Sequence, residues 1–317
     1  MCSSDLLLKI MERHTDWAVV VALVGGGQEI NDGEAGLEEW GRALVSAERT
    51  KQWRVYASPE VLEGGASTAG HRLFDAAAPP REVHTSTSLH LRTSNRSLRA
   101  EQLATWVNHV IEGKPEAASA LNVTQRFPIF LSRDLQETRR KLRDEQKGVS
   151  RYGLVGSSGA ARLRAEGLEP SSTFHAEYPW EHWYLAGETD LRSSYQCEVF
   201  ATEFEIQGLE LDWIGLCWGG DFVWHAHRGW QLRKLHPSAV SKWNAIKNPE
   251  KQTFRRNAYR VLLTRARQGM ILFIPRGDPE DPTNSPEEFK ATANYLVRFG
   301  VTPLPSAQSQ ITVESLF

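Results

Sequence analysis

Cysteine is scarce in this chain of 317 residues, which has three: Cys2, Cys197 and Cys217. Three thiols without a C-x-x-C pair exclude a disulfide framework, and reduced, partly buried cysteines are typical of cytoplasmic proteins. Long apolar runs are also lacking, since none reaches the roughly 18 residues that span a membrane. The amino terminus has neither the basic stretch nor the apolar core of a signal peptide. We therefore expect a cytoplasmic protein that does not contact a membrane.

An excess of charge of one sign is missing too. The formal net charge is −2 and the isoelectric point is about 6.6, so no chain-wide basic field draws the protein to nucleic acid. Any nucleic-acid contact must come from a local groove. With 40% hydrophobic and 24% charged residues, the composition is that of a globular protein, and the length suffices for two domains.

The first six residues, MCSSDL, match the translation of a common sequencing-adapter tail. We interpret residues 1–6 as a processing scar, and such segments are excluded from reasoning about the fold. On this hypothesis the coding sequence was cut at the end of a read, and the protein continues upstream. An in-frame stop codon just before this point in the genomic DNA would contradict the hypothesis.

Apolar runs alternate with amphipathic stretches along the first third of the chain. DWAVVVALVGGGQEI (16–30) is typical of a strand buried in a parallel sheet, with glycines that let the backbone approach a ligand. The spacing of apolar residues predicts helices at 35–44 and 98–112, the second with Gly113 as its C-cap. GKPEAASA (113–120) has the composition of a linker, and we place the domain boundary there.

The same alternation continues beyond this boundary. Strands are predicted at 127–132, at 151–158, in two pieces of 195–220 and at 270–275; helices are predicted at 133–146, 158–167, 255–269 and 286–300. This order implies a parallel α/β sheet with right-handed crossovers. The polar clusters GGGQ, NRS, QGLE and LTRAR lie at the ends of predicted strands or helices. Their glutamine, arginine and glutamate side chains suit the chemistry of nucleotide phosphates and sugars.

Four segments follow one another in the order VALVGGGQEI, LRTSNRSLRAEQLATWVN, ATEFEIQGLELD and NAYRVLLTRAR. They resemble motifs III to VI of superfamily 1 helicases, and more closely those of the bacterial Schlafen group 3-like DNA/RNA helicase family. The resemblance runs from about Asp16 to about Leu304. It implies an α/β fold of RecA-like P-loop NTPase domains, in which helices flank parallel sheets. The first domain would be incomplete, at 7–115, and the second complete, at 121–317.

The resemblance implies three catalytic residues at a nucleotide site. Gln28 matches the glutamine of motif III, which links the γ-phosphate to the nucleic-acid site. Arg96 matches the arginine of motif IV, expected on the γ-phosphate, and Arg265 matches the arginine finger of motif VI. Plainer alternatives stay open: Gln28 could cap a glycine turn, and Arg265 could pair with a surface acid. The flanking Arg92 and Arg99 could take the role of Arg96.

The segment ATEFEIQGLELD resembles motif V, a turn that faces nucleotide on one side and a nucleic-acid strand on the other. Thr202 is expected near the nucleic-acid backbone. Gln207 and Gly208 match the Lys-Gly or Gln-Gly of the motif, and Glu210 is expected near the nucleotide sugar, so these three are assigned to nucleotide binding. Thr202 could instead serve strand packing, and Glu210 could be an ordinary exposed acid.

The chain departs from the family pattern in three places. The acid of motif III is absent, and Phe204 stands where motif V usually has histidine. No G-x-x-x-x-G-K-S/T phosphate loop occurs, because EGKPE (112–116) lacks the first glycine and the Ser/Thr. The resemblance implies ATP and Mg²⁺, with the Mg²⁺ ligands in an upstream segment. Without the phosphate loop, the chain alone is not expected to hydrolyse ATP.

Three histidines, His225, His227 and His236, draw attention as metal ligands. No cysteine or acid stands near them at ligand spacing, so we interpret them as loop histidines and predict no metal site.

The function that the resemblance implies is that of an ATP-dependent DNA or RNA helicase or translocase, with ATP at the interface of two RecA-like domains. One alternative is a nucleotide-gated switch or sensor that does not unwind nucleic acid. Another is an inert truncated chain. The sequence leaves open whether the partner is DNA or RNA, and it leaves the oligomeric state open.

Overall fold

The chain divides into two compact units, residues 1–95 and 96–317, and each is described by itself. The computed structural model describes residues 3–23, 37–47, 53–65, 68, 71–74, 82–90, 98–236 and 242–305.

The first unit is built from short elements. Its helices are α1 (Ser3–Met11), α2 (Leu37–Ala47) and α3 (Pro59–Glu63), and its strands β1 (Val55–Ala57) and β2 (Val83–Thr85) pair in parallel. Five buried side chains form an apolar core: Leu37, Val55, Ala57, Leu73 and Phe74. The predicted helix at 35–44 is confirmed in its described part.

The strand predicted at 16–30 is not formed over its described part, residues 16–23. Trp17, Val21 and Leu23 are 78%, 79% and 84% exposed. A strand needs a neighbour whose N–H and C=O groups pair with its own, and no described segment pairs with this one. Residues 24–30, with the GGGQ cluster, lie outside the described residues.

The second unit contains a sheet of six parallel strands. Its strands are β3 (Ile129–Ser132), β4 (Tyr152–Gly156), β5 (Phe200–Ala201), β6 (Leu211–Cys217), β10 (Ala266–Phe273) and β11 (Thr302–Pro303). Their order in the sheet is β11–β3–β10–β6–β4–β5. Most residues of the central strands β6 and β10 are buried, as expected where both faces of a parallel sheet are covered.

Nine helices in the described part of this unit connect the strands. They are α4 (Leu98–Glu112), α5 (Pro115–Ala120), α6 (Val123–Arg126), α7 (Leu135–Glu145), α8 (Ser172–Glu177), α9 (Trp180–Leu185), α10 (Glu203–Ile206), α11 (Pro249–Leu263) and α12 (Pro286–Val297). A 3-10 helix follows β4 at Ala161–Glu166. Helix α4 belongs to this unit, because Trp106 is fully buried and its Nε1 donates to the carbonyl of Phe299 at 2.9 Å.

Three antiparallel strands follow β6 and were missed by the sequence analysis. These are β7 (Phe222–His225), β8 (Gly229–His236) and β9 (Lys242–Ala245), in the order β7–β8–β9. Trp224 of β7 stacks on Tyr295 of α12 with ring centroids 3.3 Å apart, so this small sheet is packed onto the second unit.

The bounds of one helix and one strand differ from the prediction by several residues. The helix predicted at 255–269 begins at Pro249 and ends at Leu263, and β10 begins at Ala266 instead of Met270. The pairing of Ala266 with Leu211 favours the extended backbone over further helix there. Residues 115–120 of the predicted linker form α5. The division between the compact units falls upstream of the predicted boundary at 113–120, and the assignment of RecA-like domains to residue ranges stays a prediction.

The predicted fold class is confirmed. The second unit is a mixed α/β structure whose parallel six-stranded sheet is flanked by helices, which is a RecA-like α/β fold.

Candidate functional site

Thr202 sets the beginning of the short helix that joins β5 to β6. It is the N-cap of α10, where its Oγ1 accepts from the backbone N–H of Phe204 at 3.3 Å. The Glu205 carboxylate accepts from the backbone N–H of Thr202 at 2.7 Å and from its hydroxyl, which completes a capping box. Thr202 is 2% exposed, so its hydroxyl serves the local fold in this structure.

A glycine turn follows α10 and leads into β6. Gly208 has a φ of +82°, a left-handed conformation that side chains with a Cβ rarely adopt. Glu210 then precedes the strand, and its carboxylate accepts from Nε of Arg267 at 3.0 Å. The Gln-Gly pair of the predicted motif V is therefore the turn that orients Glu210.

The two ends of this segment lie at opposite edges of the sheet. Thr202 follows Ala201, which pairs with Val155 near the carboxyl end of β4. Glu210 precedes Leu211, the first residue of β6. Because β6 has seven residues, the two edges are about 20 Å apart at a rise of about 3.3 Å per residue.

Arg265 lies at the same edge as Glu210. It precedes β10, and its carbonyl accepts from the backbone N–H of Leu211 at 3.0 Å. Arg265 is 2% exposed, and its guanidinium donates to the carbonyl of Val261 and the hydroxyl of Thr264, both at 3.1 Å. These bonds hold the arginine at the junction between α11 and β10.

The sequence-predicted site residues are thus divided between two edges. Segment 207–210 and Arg265 lie at the amino-terminal edge of the sheet, and Thr202 lies at the carboxyl edge. Gln28 and Arg96 lie outside the described residues. The roles assigned to all of these residues stay predictions.

A buried ionic network at the carboxyl edge was missed by the sequence analysis. Asp221, which follows β6, is 0% exposed. Its carboxylate accepts from Ser157 Oγ at 2.7 Å, from Tyr259 OH at 2.8 Å and from Nη1 of Arg255 at 2.9 Å. Burial and this neighbouring carboxylate raise the pKa of Tyr259, so its hydroxyl stays a hydrogen-bond donor.

Arg255 also faces a second buried carboxylate, that of Glu203. Glu203 is 2% exposed and accepts from the N–H of Ser158 at 2.8 Å and from its hydroxyl at 2.6 Å. Burial raises the pKa of Glu203, and the charge of Arg255 partly offsets this effect. A Cβ at Gly159 would lie 2.2 Å from Nη1 of Arg255, so the close approach of the guanidinium requires glycine.

This network joins the two segments that resemble motifs V and VI. Glu203 is the first residue of α10, and Arg255 lies on α11, the helix that ends just before Arg265. Arg255 lies eight residues before Leu263, the last residue of α11, which is about 12 Å of helix at 1.5 Å per residue. One signal in the sequence was available, because WGGD places Asp221 after two glycines at the end of an apolar strand.

A histidine holds α10 from another side. His175 is 5% exposed; its Nε2 lies 2.9 Å from the carbonyl of Glu169, and its Nδ1 lies 3.4 Å from the Glu205 carboxylate. Burial lowers the pKa of His175, but the interactions with Glu205 and the carbonyl outweigh it, and the pKa is raised. Burial raises the pKa of Glu205, but the nearby His175 ring and the hydrogen bonds from Thr202 outweigh it, and that pKa is lowered.

Neither thiols nor metal ligands form a second site in the described part of the chain. Cys197 and Cys217 are buried and free, and burial raises the pKa of Cys197 to about 12. The described residues contain no group of three His, Cys, Asp or Glu side chains that could hold a metal ion. None of the described helices is long and apolar enough to cross a membrane.

Comparison with protein families decides the family. The profile of the family described as Schlafen group 3, DNA/RNA helicase domain, matches residues 2–276. The chain belongs to this family. The match spans every residue assigned above to nucleotide or nucleic acid, and it confirms the resemblance to the Schlafen group 3 helicases. Comparisons with curated proteins and with solved structures gave no match.

Membership of the Schlafen group 3 helicase domain family supports nucleic acid as the partner and a helicase-like function. The RecA-like fold that the resemblance implies agrees with the parallel sheet of the second unit.

Proposed function

We propose that this chain is part of an ATP-dependent DNA or RNA helicase or translocase. The observation that carries the proposal is that Arg265 and Glu210 immediately precede the neighbouring strands β10 and β6, at one edge of the sheet. Thr202 lies at the opposite edge. Nucleotide and nucleic acid then approach different ends of the same sheet, with α10 between them.

Arg265 is the arginine finger in this proposal. Its guanidinium neutralises the charge that develops on the transferred γ-phosphoryl group, an effect worth roughly 10³- to 10⁵-fold in kcat. Glu210 accepts hydrogen bonds from the nucleotide sugar, and Gln28 and Arg96 contact the γ-phosphate. Binding and hydrolysis of ATP then alternate two conformations, which moves the protein along a strand.

The phosphate loop is absent from the 317 residues, so we propose that residues outside them supply it together with the Mg²⁺ ligands. The genomic DNA upstream of the codon for Leu7 tests this. An open frame that encodes G-x-x-x-x-G-K-S/T supports the proposal. A stop codon with no phosphate loop upstream refutes ATP hydrolysis by this protein.

The role of Arg265 is tested in the protein that carries the phosphate loop. We expect Arg265→Ala and Arg265→Lys to lower the kcat of ATP hydrolysis at least roughly 10³-fold, with the Kd for ATP nearly unchanged. Arg298→Ala is the matched control, because Arg298 is half-exposed at the end of α12 and pairs with Glu116. Unchanged turnover in the folded Arg265 variants would refute the arginine-finger role.

One observation favours the alternative of a nucleotide-gated switch. Phe204 is 45% exposed beside Thr202, where motif V of related helicases usually has histidine. A strand-displacement assay separates a helicase from a nucleotide-gated switch. ATP-dependent release of a labelled strand supports the helicase, whereas ATP turnover without release supports a switch or a translocase that does not unwind.

A further inference from the structure

The positive charge of this chain is concentrated in one segment. Residues 222–260 contain nine Lys and Arg and a single acidic residue, Glu250. With histidine neutral, this segment carries +8, and the rest of the chain must carry −10 to give the net charge of −2. Such a local excess attracts polyanions even where the whole protein does not.

Some of these cations are neutralised inside the fold. Arg233 forms a bidentate ion pair with Glu288, in which Nη1 donates to a carboxylate oxygen at 2.7 Å. Arg255 forms an ion pair with Asp221 at 2.9 Å. These arginines serve the structure. The charge available to a partner therefore lies on the other cationic residues of the segment.

The two-stranded ribbon of β8 and β9 gathers exposed cations on one face. Lys234 pairs with Asn244, and His236 pairs with Lys242. Cross-strand partners and residues two apart share a face of an antiparallel pair, so these four side chains lie together. All four are exposed. We call this group the ribbon face.

The opposite face of the ribbon is anchored. Trp243 packs against Gly220, its Nε1 donates to the carbonyl of Thr283 at 2.8 Å, and the guanidinium of Arg233 lies 4.9 Å from its ring. The anchor fixes the ribbon face outward. The ribbon also follows the carboxyl end of β6, the edge at which Thr202 lies.

Nothing in the described part of the chain compensates the ribbon face. The side chains of Lys234, His236 and Lys242 form no hydrogen bond or ion pair with the described residues. Residues two apart in a strand are about 6.6 Å apart, close to the rise of two nucleotides at about 3.4 Å each. A face of this shape and charge fits the phosphates of a strand whose bases are stacked.

We propose that the ribbon face binds the sugar–phosphate backbone of the nucleic acid. Lys234 and Lys242 neutralise phosphates, and the Asn244 amide donates to a phosphate oxygen. Such contacts hold the strand without reading its sequence. The inference rests on nucleic acid as partner but is independent of ATP hydrolysis.

The test measures binding of a labelled oligo-dT and a labelled oligo-U to the 317-residue chain by fluorescence anisotropy over a salt series. The slope of log K against log salt is negative, and each lost phosphate contact on a single strand reduces its magnitude by about 0.7. We expect Lys234→Gln/Lys242→Gln to reduce the magnitude of this slope by about 1.4 and to raise Kd at low salt. A fourfold rise in salt then weakens the variant about sevenfold less than the unsubstituted chain.

A matched control uses Lys147→Gln/Lys290→Gln, because both lysines are exposed and lie outside the ribbon. We expect its slope to equal that of the unsubstituted chain. If the ribbon variant also retains that slope while binding persists, the ribbon proposal is refuted alone. If the unsubstituted chain binds neither probe, the nucleic-acid partner is refuted with it.

Folding of the variants is checked by circular dichroism. Should the ribbon variant fail to fold, hydrogen exchange of the unsubstituted chain decides the question. Protection of residues 230–236 and 242–245 by the bound oligonucleotide supports the proposal, and unchanged exchange in these peptides overturns it.

Discussion

Replacing Asp221 by alanine tests the buried ionic network most directly. The carboxylate is 0% exposed and accepts three hydrogen bonds of 2.7 to 2.9 Å, from Ser157, Tyr259 and Arg255. Asp221→Ala leaves the guanidinium of Arg255, whose side chain is only 15% exposed, without this partner. Removal of one member of a buried ion pair costs about 3–5 kcal/mol, so we expect a loss of that size in the unfolding free energy of the second unit.

Hydrogen exchange of β6 is the assay. This strand is buried between β10 and β4, so the exchange of its amides reports the unfolding of the second unit alone. A loss of about 3–5 kcal/mol accelerates exchange of its amides by roughly 10² to 10⁴-fold. The control is Asp144→Ala, an exposed acid of α7, for which we expect less than about 0.5 kcal/mol.

A double variant separates charge from packing. We expect Asp221→Ala/Arg255→Met to be less destabilised than the sum of the two single variants, because it removes the uncompensated charge together with its partner. A loss below about 1 kcal/mol in Asp221→Ala, or strict additivity in the double variant, would refute the view that the ionic network stabilises this edge of the sheet.

Two further predictions concern α10 and the turn after it. Because the pKa of His175 is raised, its interactions stabilise the fold fully below pH 6.5, and this contribution is lost as the pH rises through the folded pKa. Because the pKa of Glu205 is lowered, its contribution is present above pH 4.5 and is lost as the pH falls through the folded pKa. We therefore expect the Tm advantage of the unsubstituted chain over His175→Gln to be present in full below about pH 6.5 and to shrink as the pH rises above it; a constant difference would contradict the pairing. Gly208→Ala should cost roughly 1–2 kcal/mol because of the φ of +82°, as should Gly148→Ala at +60°, but only the first should weaken ATP binding in the protein that carries the phosphate loop. Equal ATP affinities would show that the turn does not orient the site.

Local patterns in the sequence were enough for several elements. Helix α4 spans the predicted residues 98–112, and Gly113 after it has a φ of +71°. The apolar stripe and the glycine stop are both properties of neighbouring residues, so no distant contact is needed to read them. The α/β class and the order of the helicase motifs are likewise linear information.

Other features depend on residues that are distant in the chain. The Val-rich run at 16–23 is not a strand because strand formation requires a neighbouring strand, and α11 ends at Leu263 because Ala266 pairs with Leu211. Neither partner can be identified from local composition.

The sequence by itself determined the fold class, the family resemblance and the candidates Thr202, Glu210 and Arg265. Only the tertiary structure decided that Glu210 and Arg265 lie at one edge of the sheet and Thr202 at the other. It also decided that Arg255, 34 residues from Asp221 along the chain, is its ionic partner. The physical reason is that hydrogen-bond register and burial join segments through space, and neither leaves a periodic signal in the residues between them.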